Sequence, residues 1–194
     1  MKKALLVIDP QNIYTDPEGD LACENADATI DRINELISHF SDNMLPVIYC
    51  RHVHKDDGSD LGRMFDYLGD EVEDFNFKES STEVDFDPRL VVATNSDQFT
   101  KNRYSAFINT PLQSILQRHG AEGVVIVGFM TNFCCESTAR EAHDRDYFVD
   151  FITDATGTPG TEEFDQDEIR NIVSNLLEEG FSRVLSTEEF LEDQ

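Results

Sequence analysis

The sequence predicts an α/β fold: a doubly wound parallel sheet with helices on both faces. Three observations predict it. Short, β-branched apolar runs at residues 3–8, 45–50 and 123–127 read as buried strands. Between such runs lie stretches with apolar residues at helical spacing, as at Ile30, Ile33, Leu36, Ile37 and Phe40. Strand and helix in alternation mark a parallel sheet covered on both sides. Finally, Asp9, Lys101 and Cys134 each stand where an extended run ends. In an open α/β sheet that edge faces the ligand crevice.

The elements follow in order. Residues 3–8 end at Asp9-Pro10-Gln11-Asn12. Asp before Pro suits a turn, and the carboxylate also faces the crevice. Residues 14–25 read as a loop, 26–40 as an amphipathic helix and 45–50 as the second strand. His52 and His54 are two apart, so on a strand they share a face and could bind a metal. Spacing fixes no third ligand, so the pair is expected to hydrogen-bond or line a pocket. Residues 54–88 are acidic and irregular, with aromatics at Phe65, Tyr67, Phe75, Phe77 and Phe86. A long connection of this kind points to a lid or a partner contact.

Residues 90–93 and 97–100 read as extended, which puts Lys101 at a strand end. Thr110 and Pro111 open a helix that stops at Gly120. The run 123–127 is broken by Gly128, and the composition turns helical from Cys134 to about Arg145. Cys134 therefore sits between a strand end and a helix N-terminus. The free N–H groups and partial positive charge there are expected to lower its thiol pKa. A strand over 147–153, a helix over 162–179, a strand over 182–185 and a short helix opened by a Ser186/Glu189 capping box complete the chain.

The 194 residues suit one domain over 1–194. Forty acidic residues against 15 Lys and Arg give a net charge of -25. That argues against nucleic acid, which needs a basic face, and against anionic membrane surfaces. No apolar run has the length of a bilayer span, and the N-terminus lacks a signal-peptide pattern. Four cysteines without framework spacing fit free thiols in a reducing cytoplasm.

Four stretches together resemble the isochorismatase-like cysteine hydrolase superfamily, which includes nicotinamidases, N-carbamoylsarcosine amidases and isochorismatases. They are Leu-Val-Ile-Asp9-Pro-Gln11, Thr-Lys101-Asn-Arg-Tyr-Ser-Ala-Phe107, Gly128-Phe-Met-Thr131-Asn-Phe-Cys134-Cys-Glu-Ser-Thr138-Ala139 and Asp154-Ala155. The resemblance covers nearly the whole chain and implies a six-stranded parallel sheet. It implies Asp9, Lys101 and Cys134 as the catalytic triad, since the spacing to Thr138-Ala139 selects Cys134 over Cys135. It implies a cis peptide between Phe129 and Met130, and an oxyanion hole from the backbone N–H groups of Met130 and Cys134. Gln11, Tyr14, His54, Phe107 and Phe133 are expected in the substrate pocket.

Metal-binding relatives use an Asp-x-His pattern after the second strand, which Arg51-His-Val-His54 lacks, so no metal and no cofactor are expected. The implied activity is amide or ureide hydrolysis of a small molecule through a thioester on Cys134. A vinyl ether hydrolysis with Asp9 as acid is the alternative, and a non-catalytic acidic binding module is the reading from another class. Relatives are often oligomers, so a homo-oligomer is expected, with residues 54–88 at the contact or closing the pocket.

Overall fold

A computed structural model describes residues 1–66 and 75–193; of the aromatics above, Tyr67 lies outside them. Six strands form one sheet: β1 (Lys3–Ile8), β2 (Val47–His52), β3 (Asp97–Lys101), β4 (Gly123–Phe129), β5 (Phe148–Gly157) and β6 (Arg183–Leu185). Their order is β3-β2-β1-β4-β5-β6, and every pairing is parallel. Neighbouring sequence runs therefore diverge from β1 and β4. The carboxyl ends of these two strands frame the crevice that such a reversal opens.

Helices cover both faces: α1 (Asn12–Thr15), α2 (Ala26–Asp42), α3 (Leu112–His119), α4 (Glu136–Asp144), α5 (Gln166–Glu178) and α6 (Thr187–Glu192). Strand periodicity sorts β1 between two cores. Ala4, Leu6 and Ile8 join Leu112, Leu116, Ala139 and Val173 on one side. Leu5 and Val7 join Ile30, Ile33, Phe40 and Phe190 on the other. The helical spacing of Ile30, Ile33, Leu36, Ile37 and Phe40 puts all five on the buried face of α2. Fully burying such a side chain stabilises the fold by about 1.5–3 kcal/mol. An Asp at Ile33 would break that face.

One backbone position sets the spacing at the crevice. Gly128 has φ +121° and pairs with Ile8; a Cβ there would lie 1.9 Å from the Ile8 carbonyl oxygen. Only glycine fits.

Several boundaries differ from those the sequence suggests. The second strand runs from Val47 to His52, so His52 closes it instead of following it. Residues 90–93 form no strand: the Tyr49 hydroxyl donates to the Val91 carbonyl and accepts from the Ala93 N–H. That side chain replaces a ladder partner. The loop after Asp9 contains a helical turn, α1. The fifth strand continues past Thr153 to Gly157, with a register shift against β4 between Ile126 and Gly128. The 162–179 helix begins only at Gln166, because Asp165 forms a capping box with Glu168. The Ser186/Glu189 capping box opens α6 as read. Among the described residues, no helix is long and apolar enough to cross a membrane.

Candidate active site

Three strand ends deliver three side chains to one point. Lys101 is the last residue of β3, Asp9 follows β1, and Cys134 lies in the turn after β4. Lys101 Nζ is 2.7 Å from Asp9 Oδ2 and donates to Cys134 Sγ at 3.1 Å. It also donates to the Arg103 carbonyl at 3.0 Å. All three side chains are buried.

Local structure aims each of them. Asp9 adopts a left-handed conformation (φ 48°) ahead of Pro10, a region Asp tolerates better than most residues. Its N–H bonds the Cys50 carbonyl, and the Cys50 thiol donates to Oδ1 at 3.6 Å. The peptide between Phe129 and Met130 is cis. A π-helical turn, Thr131–Cys135, then runs directly into α4. Cys135 heads the stripe Cys135–Ala139–Ala142, which faces the core. Cys134, the residue before it in the π-helical turn, is on the crevice side. The Met130 carbonyl accepts the N–H groups of Phe133 and Cys135, the residues flanking Cys134.

Burial dominates the electrostatics. It raises the Asp9 carboxyl above its usual range, and Lys101 offsets only part of the shift. Lys101 is held above its usual value: burial alone would lower it, but Asp9 and then Cys134 outweigh that. Burial pushes the Cys134 thiol up to about 12, with Lys101 opposing and Asp9 reinforcing. This corrects the expectation of a lowered thiol pKa. A helix N-terminus and one ammonium do not compensate for a dry site with a carboxylate beside the sulfur. The resting group is a thiol.

Of the three, Cys134 opens into a cavity of about 300 Å³, lined also by Tyr14, His52, Phe77, Tyr104 and Phe133 among others. No Asp, Glu, Lys or Arg lines it among the described residues. Phe133 is half-exposed and meets Tyr104 at 5.2 Å between ring centres, forming the rim. Phe77 stacks on His52 at 4.6 Å, and Phe65 also lines the wall. The aromatic segment 54–88 thus contributes to its own pocket. Two larger hollows, of about 830 and 740 Å³, contain none of the three triad residues.

Of the pocket residues read from sequence, Tyr14 and Phe133 line the cavity. Gln11 does not: it donates to the carbonyls of His52 and Val84 and accepts the His52 N–H, tying the end of β2 to the following loop. Phe107 packs away from the cavity, stacked on Tyr147 and under Arg145. Both are spent on architecture. His54 sits behind His52, with the two Nε2 atoms 3.0 Å apart. His52 lines the cavity and bonds His54, in keeping with the expectation for the pair. Phe77 and Tyr104 are pocket residues that the sequence reading did not single out.

One donor set resembles a metal site: ligand atoms of Asp9, His52 and Cys134 lie within 4.8 Å of one another. The Lys101 ammonium already lies 2.7 and 3.1 Å from two of the three. A second cation there would face it in a dry site, so these residues do not fit a metal ion.

The sequence model of the family described as "Isochorismatase domain" matches residues 3–189. Nicotinamidase 3 of Arabidopsis thaliana is 36% identical over 156 residues, 80% of this chain and 73% of that protein. Ureidoacrylate amidohydrolase RutB of Methylorubrum extorquens is 43% identical over 72 residues, 37% of this chain and 29% of that protein. The crystal structure of a cysteine hydrolase from Pseudomonas syringae pv. phaseolicola superposes with a TM-score of 0.91 at 26% identity, covering 98% of this chain and 91% of that one.

Proposed function

The chain belongs to the isochorismatase family and is a hydrolase of it, and from that premise we propose that it is a cysteine amidohydrolase acting on a small, uncharged amide or ureide. One observation carries the reading: a single buried ammonium is shared between a carboxylate at 2.7 Å and a thiol at 3.1 Å, and that thiol lines a cavity. Two relatives, a nicotinamidase and a ureidoacrylate amidohydrolase, are named for C–N bond hydrolysis, and a structural neighbour is named a cysteine hydrolase.

In this reading Cys134 is the nucleophile and Asp9 its base. Because the thiol is held near 12, its proton must leave as the sulfur attacks. Asp9 takes that proton and hands it to the departing nitrogen. Lys101 keeps Asp9 ionised in a dry site and stabilises the sulfur as it gains charge. The backbone N–H groups of Met130 and Cys134 form the oxyanion hole, where each donor commonly contributes about 3–4 kcal/mol. The product is an acyl thioester on Cys134, which water then cleaves. No cofactor enters the reaction.

The cavity supports the substrate class. Its aromatic walls suit a flat apolar group, and the absence of lining charges among the described residues disfavours an ionised one. The same reading takes residues 1–194 as one domain, in the cytoplasm, where the four free cysteines stay reduced. It also takes the protein as a homo-oligomer, which sedimentation would check.

The test is ammonia release from a panel of neutral primary amides and ureides, each paired with a charged analogue. Neutral members carrying a planar group should turn over. Turnover of charged members alone, or of none with Cys134 intact, would sink the proposal.

A further inference from the structure

A second file of buried polar groups reaches Cys134 and has no part in the steps above. His52 Nδ1 is 4.0 Å from Cys134 Sγ. His52 Nε2 is 3.0 Å from His54 Nε2. His54 Nδ1 faces Asp60 Oδ1 at 3.4 Å, at ion-pair distance and off the hydrogen-bond line. Both imidazoles are buried, and the Asp60 side chain is 19% exposed. The four groups follow one another from the cavity toward solvent.

Hydrogen positions along the file follow from its outer end. The Asp60 carboxylate accepts the Lys55 N–H and the Asn102 amide, each at 3.0 Å. Burial raises this carboxyl, but Asn102, Lys55 and His54 outweigh burial and hold it below the usual range. It can only accept. A lone pair on His54 Nδ1 would face negative charge, so that nitrogen carries the hydrogen. Burial lowers both imidazoles; at His52 the positive charges of Lys101 and Arg103 lower it further. A neutral imidazole has one N–H and one lone pair. His54 Nε2 is therefore the acceptor and His52 Nε2 the donor. His52 Nδ1 is left with a lone pair aimed at Cys134 and the cavity.

We propose that His52 is the base for the second half of the reaction, with His54 and Asp60 as the residues that position it and fix its tautomer. The inference rests on the thioester reading. Asp9 has returned its proton to the departing nitrogen by the time water enters, so the two halves can use different bases. Both groups line the same cavity, so a water there that is bonded to His52 Nδ1 lies beside a carbonyl carbon held on the sulfur. The water oxygen bonds to the thioester carbon, and one water proton moves to His52 Nδ1. The C–S bond breaks with its electron pair left on sulfur, opposite Lys101. His52 then returns its proton to that sulfur, and the second water proton leaves with the product acid. Nothing is left over. Through His54, Asp60 stabilises the imidazolium while it exists.

Two measurements test this. The first needs no substrate: ¹⁵N-histidine NMR at neutral pH should show His52 protonated at Nε2 and His54 at Nδ1. The opposite tautomers, or loss of both signatures to zinc bound between the Nε2 atoms, would overturn the proposal. The second uses p-nitrophenyl acetate as acyl donor. His52→Gln keeps a donor near Nε2 and removes Nδ1. It should slow the steady state about 100-fold, slow the p-nitrophenolate burst far less, and accumulate acetyl-Cys134 by mass spectrometry. Asp60→Asn, remote from the sulfur, should slow the steady state about tenfold and mix the tautomers. Equal losses in both phases, or normal turnover of the acetyl adduct in both variants, would overturn it. A wild-type protein that never forms acetyl-Cys134 would sink the thioester reading first, and this inference with it.

Discussion

Each end of the sheet holds an internal ion pair, and the two are built to opposite rules. Along the strands beyond the crevice, Asp150 meets two cations: Lys3, and Arg183, whose Nε is 3.0 Å away. The Arg183 side chain is 43% exposed, so water screens the cluster. At the crevice, Asp9 and Lys101 are fully enclosed, and beyond each other their close partners include two thiols, Cys50 and Cys134. Enclosed pairs seldom repay their desolvation. A pair that stays dry and is completed by reactive sulfur is a poor device for stability and a good one for moving a proton.

The largest effect should come from the sulfur. Cys134→Ala is expected to remove turnover by at least about 10⁴-fold with the circular dichroism spectrum unchanged. Substantial residual activity would instead favour the vinyl ether reading, in which Asp9 acts alone as an acid. Asp9→Asn should be lost on either reading.

Next comes stability. Lys101→Met strands the Asp9 charge and should cost about 3–5 kcal/mol in urea unfolding. Lys3→Met leaves the buried Asp150 still paired with Arg183, and should cost about 1.5 kcal/mol. The double variant Asp9→Asn, Lys101→Met should recover most of the loss without recovering activity. Equal costs for Lys101→Met and Lys3→Met would erase the contrast between the two ends.

The pH profile sharpens the same point. A base must be ionised to act, and burial holds the Asp9 carboxyl above 3.8. Activity should therefore fall as pH drops through a value above 3.8. With the Cys134 thiol near 12 and Lys101 raised, kcat/KM should run flat from neutral into mildly alkaline pH. A rise there with an apparent pKa of about 8–9 would indicate a free-thiol nucleophile. The smallest effect belongs to Cys135→Ala, whose side chain faces the core: turnover within about twofold, and a stability loss of about 1 kcal/mol.

Much of this was legible from residue order alone. Strand periodicity and the ends of three runs located Asp9, Lys101 and Cys134, because a parallel sheet brings such ends together wherever they fall in sequence. The pocket was less legible. Gln11 and Phe107 looked like site residues because they flank the motifs. Whether a flanking side chain faces the cavity or the scaffold depends on backbone turns that no periodicity encodes. Phe77 and Tyr104 come from irregular segments, where position follows tertiary packing. The thiol's pKa was misjudged for a related reason. Sequence reveals the helix terminus and the lysine beside Cys134, but not how completely the fold excludes water from it.

The missing methyl at Gly128 has a consequence for how this scaffold can diversify. Ile8 precedes Asp9, and Gly128 precedes the turn that carries Cys134, so the close approach of these two backbones sets how far apart Asp9 and Cys134 stand. Nothing larger than hydrogen is admitted there. The rim residues Phe133 and Tyr104 are under no such restriction, since Phe133 already stands partly in solvent. Drift in sequence can therefore rewrite which molecule enters while the spacing that cuts it stays fixed. Specificity in this architecture is free to wander, and reactivity is not.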